Sequence, residues 1–267
     1  MSDTLPPGKK IYFASDFHLG SPSPEKSRER ELLLIKWLDE ISNDAAKIFL
    51  VGDLFDFWFE YTKVIPKGFV RFQGKLAEIC DKGIELHIFT GNHDHWLRDY
   101  FQKEFGAKVH DDPINFRLNE KKFFVGHGDG LGPGDTGYKI MKKLLFRNAP
   151  FRWLFNNVLP PNVGVWLGQT WSEKNKSKRI DFKEVFEKPE KEYLWHFCRQ
   201  TESREHHDFY IFGHRHLALD LKIGENSRYI NLGEWFSFRT YAVFDGKELQ
   251  LLRYQINEND KNEIIRH

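Results

Sequence analysis

The sequence predicts an α/β fold, and three observations carry that prediction. Short apolar runs recur along the chain, and several end in glycine or aspartate. Stretches with apolar residues at helical spacing separate the first three of these runs. Near the end, two apolar segments flank an Asp-Gly pair, the signature of a β-hairpin.

The first run, Ile11-Tyr12-Phe13-Ala14, leads into Asp16. A helix follows, marked by Leu34, Trp37, Leu38 and Ile41 at helical spacing. Ile48-Phe49-Leu50-Val51 leads into Gly52-Asp53, and a second helix is marked by Phe69, Phe72, Leu76 and Ile79. Leu86-His87-Ile88-Phe89 leads into Thr90-Gly91-Asn92, and Trp96, Leu97, Tyr100 and Phe101 begin a third helix. Strand–helix–strand alternation of this kind predicts parallel pairing. Phe123-Phe124-Val125 then leads into Gly126-His127, Phe209-Tyr210-Ile211-Phe212 into Gly213-His214, and Tyr229-Ile230-Asn231-Leu232 into Gly233. Tyr241–Phe244 and Leu249–Tyr254 form the hairpin around Asp245-Gly246, and the polar tail from Glu258 is expected to fray.

Residues 131–190 break this rhythm. Gly132-Pro133-Gly134 opens the segment and Pro160-Pro161 interrupts helical stretches rich in Trp, Phe, Leu and Lys. The segment reads as a helical cap inserted into a single domain spanning residues 1–267.

Composition narrows the class. A 40% hydrophobic and 30% charged chain is of the soluble globular type. A formal net charge of +1 excludes a protein that attracts polyanions as a whole, so electrostatic recognition must come from a local patch. Cys80 and Cys198 are too few for a disulfide framework or a thiolate metal cluster and read as reduced, buried thiols. Met1–Lys10 lacks the apolar core of a signal peptide, and no apolar run is long enough to span a bilayer. The expected location is the cytoplasm.

The chemistry is concentrated where strands end, the place at which open α/β sheets build their sites. Five motifs follow apolar runs: Asp16-x-His18, Gly52-Asp53-x-x-Asp56, Gly91-Asn92-His93-Asp94, Gly126-His127-Gly128-Asp129 and Gly213-His214-Arg215-His216. Carboxylate, amide oxygen and imidazole together suit borderline divalent ions such as Mn, Fe or Zn better than calcium. Asp-x-His and His-x-His present two side chains on one face of an extended segment. Any one motif alone reads equally well as a polar loop, and His127 alone as a hydrogen-bonded structural histidine. Five of them in sequence after strands do not.

These five motifs resemble, in order and residue type, those of the calcineurin-like metallophosphoesterases. The resemblance implies a two-sheet α/β sandwich flanked by helices. It implies that Asp16, His18, Asp53 and His216 hold one metal, and Asp53, Asn92, His127 and His214 the other, with Asp53 bridging. Two ions about 3.5–4 Å apart lower the pKa of a water between them and clamp the phosphoryl oxygens, so in-line hydrolysis is the expected reaction.

Outside the metal motifs, Gly52–Trp58, His127–Leu131 with Asp135, Gly137 and Tyr138, and the cluster Ser172, Asn175, Ser177 and Lys178 resemble one bacterial branch of the family. That branch cleaves the nucleotide diphosphate lipid UDP-2,3-diacylglucosamine to UMP and a diacylglucosamine 1-phosphate in lipid A synthesis, usually with manganese. The resemblance implies substrate contacts from Asn92, Asp135, Tyr138, Ser172, Asn175, Lys178 and His214, and a peripheral place on the inner face of the cell membrane. One residue departs from the branch: it has arginine after the asparagine of the third motif, and here the residue is His93. In the wider family the second acid of the second motif orients this histidine, so Asp56 and His93 are expected to form a catalytic dyad. The plainer role for Asp56 is a helix cap.

From Asp135 to Ile180 the chain carries nine lysines and arginines against Asp135 and Glu173, together with Phe146, Phe151, Trp153, Phe155, Trp166 and Trp171. Basic residues mixed with aromatics suit an anionic membrane surface or a lipid phosphate. The alternative is a helical hairpin with a packed inner face and a solvated outer one. Three other functions compete. They are a phosphodiesterase for soluble nucleotides or other phosphodiesters, a nucleic-acid enzyme, disfavoured by the near-zero net charge, and a non-catalytic scaffold, disfavoured by the full set of ligands.

Overall fold

Every apolar run that precedes a motif is a strand in the computed structural model. The structure describes residues 4–132, isolated positions and short runs between 139 and 170, 186–255 and 264–266. The first sheet has the order β11-β10-β1-β2-β3-β4, with β1 (Lys10–Ala14), β2 (Ala45–Val51), β3 (Glu85–Phe89), β4 (Lys108–His110), β10 (Thr240–Phe244) and β11 (Leu249–Arg253). The second has the order β12-β8-β9-β7-β6-β5, with β5 (Ile114–Leu118), β6 (Lys121–Val125), β7 (Phe209–Phe212), β8 (Ala218–Lys222), β9 (Arg228–Leu232) and β12 (Ile265–Arg266). β1 to β4 pair in parallel, as do β6, β7 and β9, so the motif-bearing strands of each sheet end at one edge.

Side-chain alternation along the strands assembles the layers. Ile11 and Phe13 of β1, Phe49 and Val51 of β2 and Phe89 of β3 meet Phe123, Val125, Phe209, Ile211 and Ile230 between the sheets. Phe13 stacks on Phe49 at 4.9 Å, Phe49 on Phe116 at 5.2 Å, and Phe116 on Phe123 at 4.9 Å, an aromatic file through this core. The opposite register of the first sheet, Tyr12, Ala14, Ile48, Leu50 and Ile88, is covered by helices. These are α1 (Pro24–Ile41), α2 (Val70–Asp81) and α3 (Tyr100–Phe105). Ser23 caps α1 by accepting the Lys26 N–H, and Pro24 occupies the first turn, where its missing donor costs nothing. The outer face of the second sheet packs Tyr210, Phe212, Leu219 and Tyr229 against Leu194, Trp195 and Cys198 of α4 (Tyr193–Glu202).

The architecture is thus the two-sheet α/β sandwich with flanking helices that the sequence predicts, and the terminal hairpin is β10–β11. Three details differ. The third helix begins at Tyr100 rather than Trp96, because Trp96 turns aside to pack its ring on Phe59 at 4.3 Å. The short edge strands β4 and β5, and β8 directly after the last motif, have no counterpart in the apolar pattern. The tail does not end in a frayed segment: Ile265 and Arg266 pair with Leu219 and Asp220. Most of the cap, residues 131–190, lies outside the described residues, but its root is clear. A side chain at Gly132 would strike the Tyr193 carbonyl, so the chain leaves the sandwich and rejoins it at one point.

Candidate metal centre

All five motifs converge at the carboxyl edge of the strands. Asp16 and His18 follow β1, Asp53 follows β2, Asn92 and His93 follow β3, His127 follows β6, and His214 and His216 follow β7. Asp16, His18, Asp53, His214 and His216 adopt left-handed backbone, with φ between +43° and +68°. Such turns are uncommon away from glycine and concentrate at functional sites, where the surrounding fold holds them in place. Here they aim successive polar side chains into one space.

Close backbone approach does the rest. A side chain at Gly91 would collide with the carboxylate and amide of Asp53, and one at Gly213 with Asp16 and Ser15. Glycine at these positions therefore lets the loops after β3 and β7 lie against the loops that carry the two aspartates.

One ligand atom from each of Asp16, His18, Asp53 and His216 lies within 4.8 Å of the other three. Nε2 of His18 is 3.1 Å from Nε2 of His216 and 3.6 Å from Asp53 Oδ2, and Nε2 of His216 is 3.2 Å from Asp16 Oδ1. On the other side of Asp53, Nε2 of His127 lies 3.4 Å from Asp53 Oδ2 and 3.4 Å from Asn92 Oδ1. The rings of His127 and His214 are 5.2 Å apart. Asp53 thus stands between two groups of ligand-type atoms.

Hydrogen bonds orient these groups from behind. His127 donates Nδ1–H to the Val51 carbonyl at 2.9 Å, which turns Nε2 toward Asp53 and Asn92. Asp16 Oδ2 accepts from Ser15 Oγ at 2.5 Å and from the His214 N–H at 3.0 Å, and Asp53 Oδ1 accepts from the His93 N–H at 2.8 Å. Buried Arg30 donates to the carbonyls of His18, at 2.8 Å, and of Ser21.

The electrostatics require positive charge in the centre. Asp16 and Asp53 are buried, which opposes ionisation, yet the surrounding histidines hold both well below the usual carboxylate range. Burial likewise opposes charge on His127, but Asp53, with Asp16 and Asp129 beyond it, outweighs that and pushes its pKa up to about 10. Burial, aided by the neighbouring His93 and His216, carries His18 down to about 4 against the pull of Asp16 and Asp53. Asp53 Oδ2 and His18 Nδ1 are buried without a hydrogen-bond partner. Two buried carboxylates, an amide oxygen and imidazoles whose Nε2 atoms converge form a donor set that fits a pair of divalent cations.

His93 and Asp56 are brought together, with a twist. His93 Nδ1 donates to the backbone carbonyl of Asp56 at 3.0 Å, while the Asp56 carboxylate lies 3.9 Å from it and 3.8 Å from His18 Nδ1. His18, Asp56 and His93 also offer three ligand-type atoms within 4.8 Å of one another. Asp56 does not cap a helix; the residue at the N-terminus of α2 is Phe69. Asp135, Tyr138, Ser172, Asn175, Ser177 and Lys178 lie outside the described residues.

Asp94 had no assigned task in the sequence, although it closes the third motif. Its carboxylate is fully buried and accepts the Gly91 N–H and the Leu54 N–H, each at 2.7 Å, so it pins the β3 loop to the β2 loop. Burial, and then the neighbouring Asp53, raise its pKa to about 7. Arg30 and Glu234 lay outside every motif. Glu234 is buried and accepts the N–H groups of Phe236, Ser237 and Phe238, which folds the loop after β9 beside His18.

Comparison with known proteins agrees with this geometry. The model of the calcineurin-like phosphoesterase family matches residues 9–218, a span that holds all five motifs. UDP-2,3-diacylglucosamine hydrolase of Porphyromonas gingivalis is 41% identical over 253 residues, covering 91% of this chain and 96% of that protein. The protein of the same name from Haemophilus influenzae is 26% identical over 235 residues, covering 85% and 91%. The strand-end ligands, the two-sheet frame and these matches place the chain in the calcineurin-like phosphoesterase family, metal-dependent hydrolases with a dimetal site.

Proposed function

We propose that this phosphoesterase hydrolyses the diphosphate bond of UDP-2,3-diacylglucosamine, giving UMP and 2,3-diacylglucosamine 1-phosphate for lipid A biosynthesis. The observation that carries the reading is 41% identity over nearly the full length of a relative with that substrate in its name. The insertion adds support. Among the described residues, Leu144, Trp153, Val158 and Val163 are four of seven large hydrophobic side chains left exposed, as an amphipathic substrate or membrane surface requires.

In this reading Asp16, His18, Asp53 and His216 hold one cation and Asp53, Asn92, His127 and His214 the other, and manganese is the proposed metal. Such ions supply an activated water and neutralise the phosphoryl oxygens when bound. The chain's own residues do the remaining work. Ser15, the His214 N–H and the His93 N–H fix the carboxylates of Asp16 and Asp53 so that their free lone pairs face the centre. His93, with Nδ1–H given to the Asp56 carbonyl, keeps Nε2 for the substrate. A proton on that nitrogen places positive charge beside the phosphate that leaves. A phosphate leaving group needs little protonation, so charge stabilisation is the role assigned to His93.

His93 also motivates a second reading, a phosphodiesterase for soluble nucleotides or other diesters, whose alkoxide leaving group would need that proton. Turnover of UDP-2,3-diacylglucosamine beside soluble diesters, with products identified, separates the two. UMP and the sugar 1-phosphate are the expected products. A manganese-loaded chain that cleaves soluble diesters and leaves the nucleotide lipid intact would overturn the first reading.

A further inference from the structure

His18 and His127 both turn Nε2 toward Asp53, but they are held in different ways. His127 gives Nδ1–H to the Val51 carbonyl, the common anchor for an imidazole whose other nitrogen serves a cation. His18 is 2% exposed, and its Nδ1 is buried without a hydrogen-bond partner. The Asp56 carboxylate, at 3.8 Å, stands beyond hydrogen-bond reach. No hydrogen bond at Nδ1 therefore fixes where Nε2 points, yet Nε2 sits 3.1 Å from its counterpart in His216.

Arg30 supplies the missing constraint. One face of α1 grips the loop after β1 at three points. Ser27 Oγ accepts the Gly20 N–H at 2.7 Å, and Arg30 Nη2 donates to the carbonyls of His18, at 2.8 Å, and of Ser21. Ser27 and Arg30 are three residues apart in the helix, so they stand side by side. The bond to the His18 carbonyl holds a turn whose backbone is left-handed, at φ +43°. The same guanidinium lies over the Phe236 ring, 4.1 Å from its centre. Phe236 in turn packs on the His18 ring, with 5.6 Å between centres and 30° between planes. Glu234 fixes Phe236 there by accepting its N–H. Arg30 thus reaches His18 twice, through its carbonyl and through the ring packed on its imidazole.

Such a cation is costly to bury. Arg30 is 6% exposed, its Nε has no hydrogen-bond partner, and it makes no ion pair among the described residues. Burial lowers its pKa to about 10, against the pull of Glu234 and then Asp56, so it stays charged at neutral pH. A permanent charge satisfied by two carbonyls and a ring face tolerates little displacement of either.

We propose that Arg30 is a positioning residue for His18 and thereby sets the affinity of the cation on the His18–His216 side, leaving the His127 side unaffected. Its action runs through the His18 carbonyl and the Phe236 ring. The assignment rests on the two-cation reading and deepens it.

The test measures manganese binding to the metal-free full chain by calorimetry, with stoichiometry from elemental analysis and melts of the metal-free proteins as the check on folding. The variants are Arg30→Met, Arg30→Lys and Phe236→Leu, each alone and combined with His18→Ala or His127→Ala. Arg30→Met is expected to weaken one cation about tenfold and to leave the other unchanged, the effect of losing a group that orients a metal ligand. Phe236→Leu should act in the same direction, and Arg30→Lys, which keeps the charge and a donor, should recover part of the loss. Because the effect runs through His18, Arg30→Met should add nothing once His18 is alanine, and should keep its full effect once His127 is alanine. Equal weakening of both cations, or a loss that adds fully to that of His18→Ala, overturns the proposal. If Arg30→Met fails to fold, Phe236→Leu and Arg30→Lys carry the same comparison. Wild-type stoichiometry tests the parent reading on its own. One cation per chain ends the two-cation reading, and dependence of that cation on Arg30 only when His18 is present still supports the positioning role. Two cations indifferent to Arg30 and Phe236 end the positioning role alone.

Discussion

At the scale of single residues, the site depends on atoms fixed by the main chain. His93 is the clearest case. Its Nδ1–H is committed to the Asp56 carbonyl, so whatever it does for the substrate it does through Nε2. If that task is to supply positive charge beside a phosphate leaving group, any cation there should serve in part. His93→Ala is expected to lower kcat on the nucleotide lipid about a hundredfold, the usual effect of removing one transition-state donor, with both metals still bound. His93→Arg should retain more activity than His93→Ala. Equal inactivity of the two variants would sink charge stabilisation and favour proton donation. The residue types at this centre were legible in the sequence because each motif directly follows an apolar run. Their left-handed backbone was not, since Asp and His at φ above +40° carry no local signature. Arg30 and Glu234 were equally hidden. They act on the carbonyls and amides of neighbouring loops, and which loops become neighbours is decided only by the sheet order.

At the scale of elements, strands whose register alternates between two apolar faces could be read, and edge strands could not. β5 exposes every second residue and β4 has three, so neither rises above the background of a loop. Nor does anything local show that β6 pairs with β7 in a second sheet instead of extending the first. A polar clasp at its last residue adds to the apolar docking of α4 onto that second sheet. Glu202 accepts from Tyr210 Oη at 2.7 Å, from the His207 N–H at 2.9 Å and from Ser227 Oγ at 2.8 Å, and pairs with His206 at 2.6 Å. Partial burial raises its pKa, but these partners together carry it from 4.5 down to about 2. Because the folded value is the lower one, the stabilisation is present in full above the unfolded pKa of 4.5 and is lost as pH falls toward about 2. Glu202→Gln is therefore expected to cost about 1–2 kcal/mol at neutral pH. That corresponds to a Tm lower by a few degrees in a chain of this size. The gap should narrow steadily below pH 4.5, and thermal melts across that range measure it. A gap independent of pH would show that the carboxylate charge contributes nothing to the clasp.

At the scale of the whole molecule, the question is how a chain with a net charge of only +1 would meet the proposed lipid substrate. No helix among the described residues is long and apolar enough to cross a membrane. The charge is unevenly placed, with nine basic residues against two acidic ones between Asp135 and Ile180. The described positions of the same insertion leave Trp153 63% and Leu144 58% exposed. Both features belong to a segment whose first described residues, Leu131 and Gly132, directly follow the loop that carries His127. We propose that the insertion holds the protein on anionic lipid. Each lysine close to such a surface contributes about 1 kcal/mol, screened within a Debye length. The chain is expected to sediment with anionic phospholipid vesicles at low salt and to be released as salt rises. Lys142→Gln with Lys143→Gln should lower the partition coefficient roughly thirtyfold. Trp153→Ala should instead weaken the part of binding that survives high salt, because its contribution is apolar area. Turnover of detergent-dispersed substrate provides the contrast. If vesicle binding fails to discriminate anionic from neutral lipid while that turnover is normal, the basic excess serves the substrate or the fold, and the membrane has no part in it.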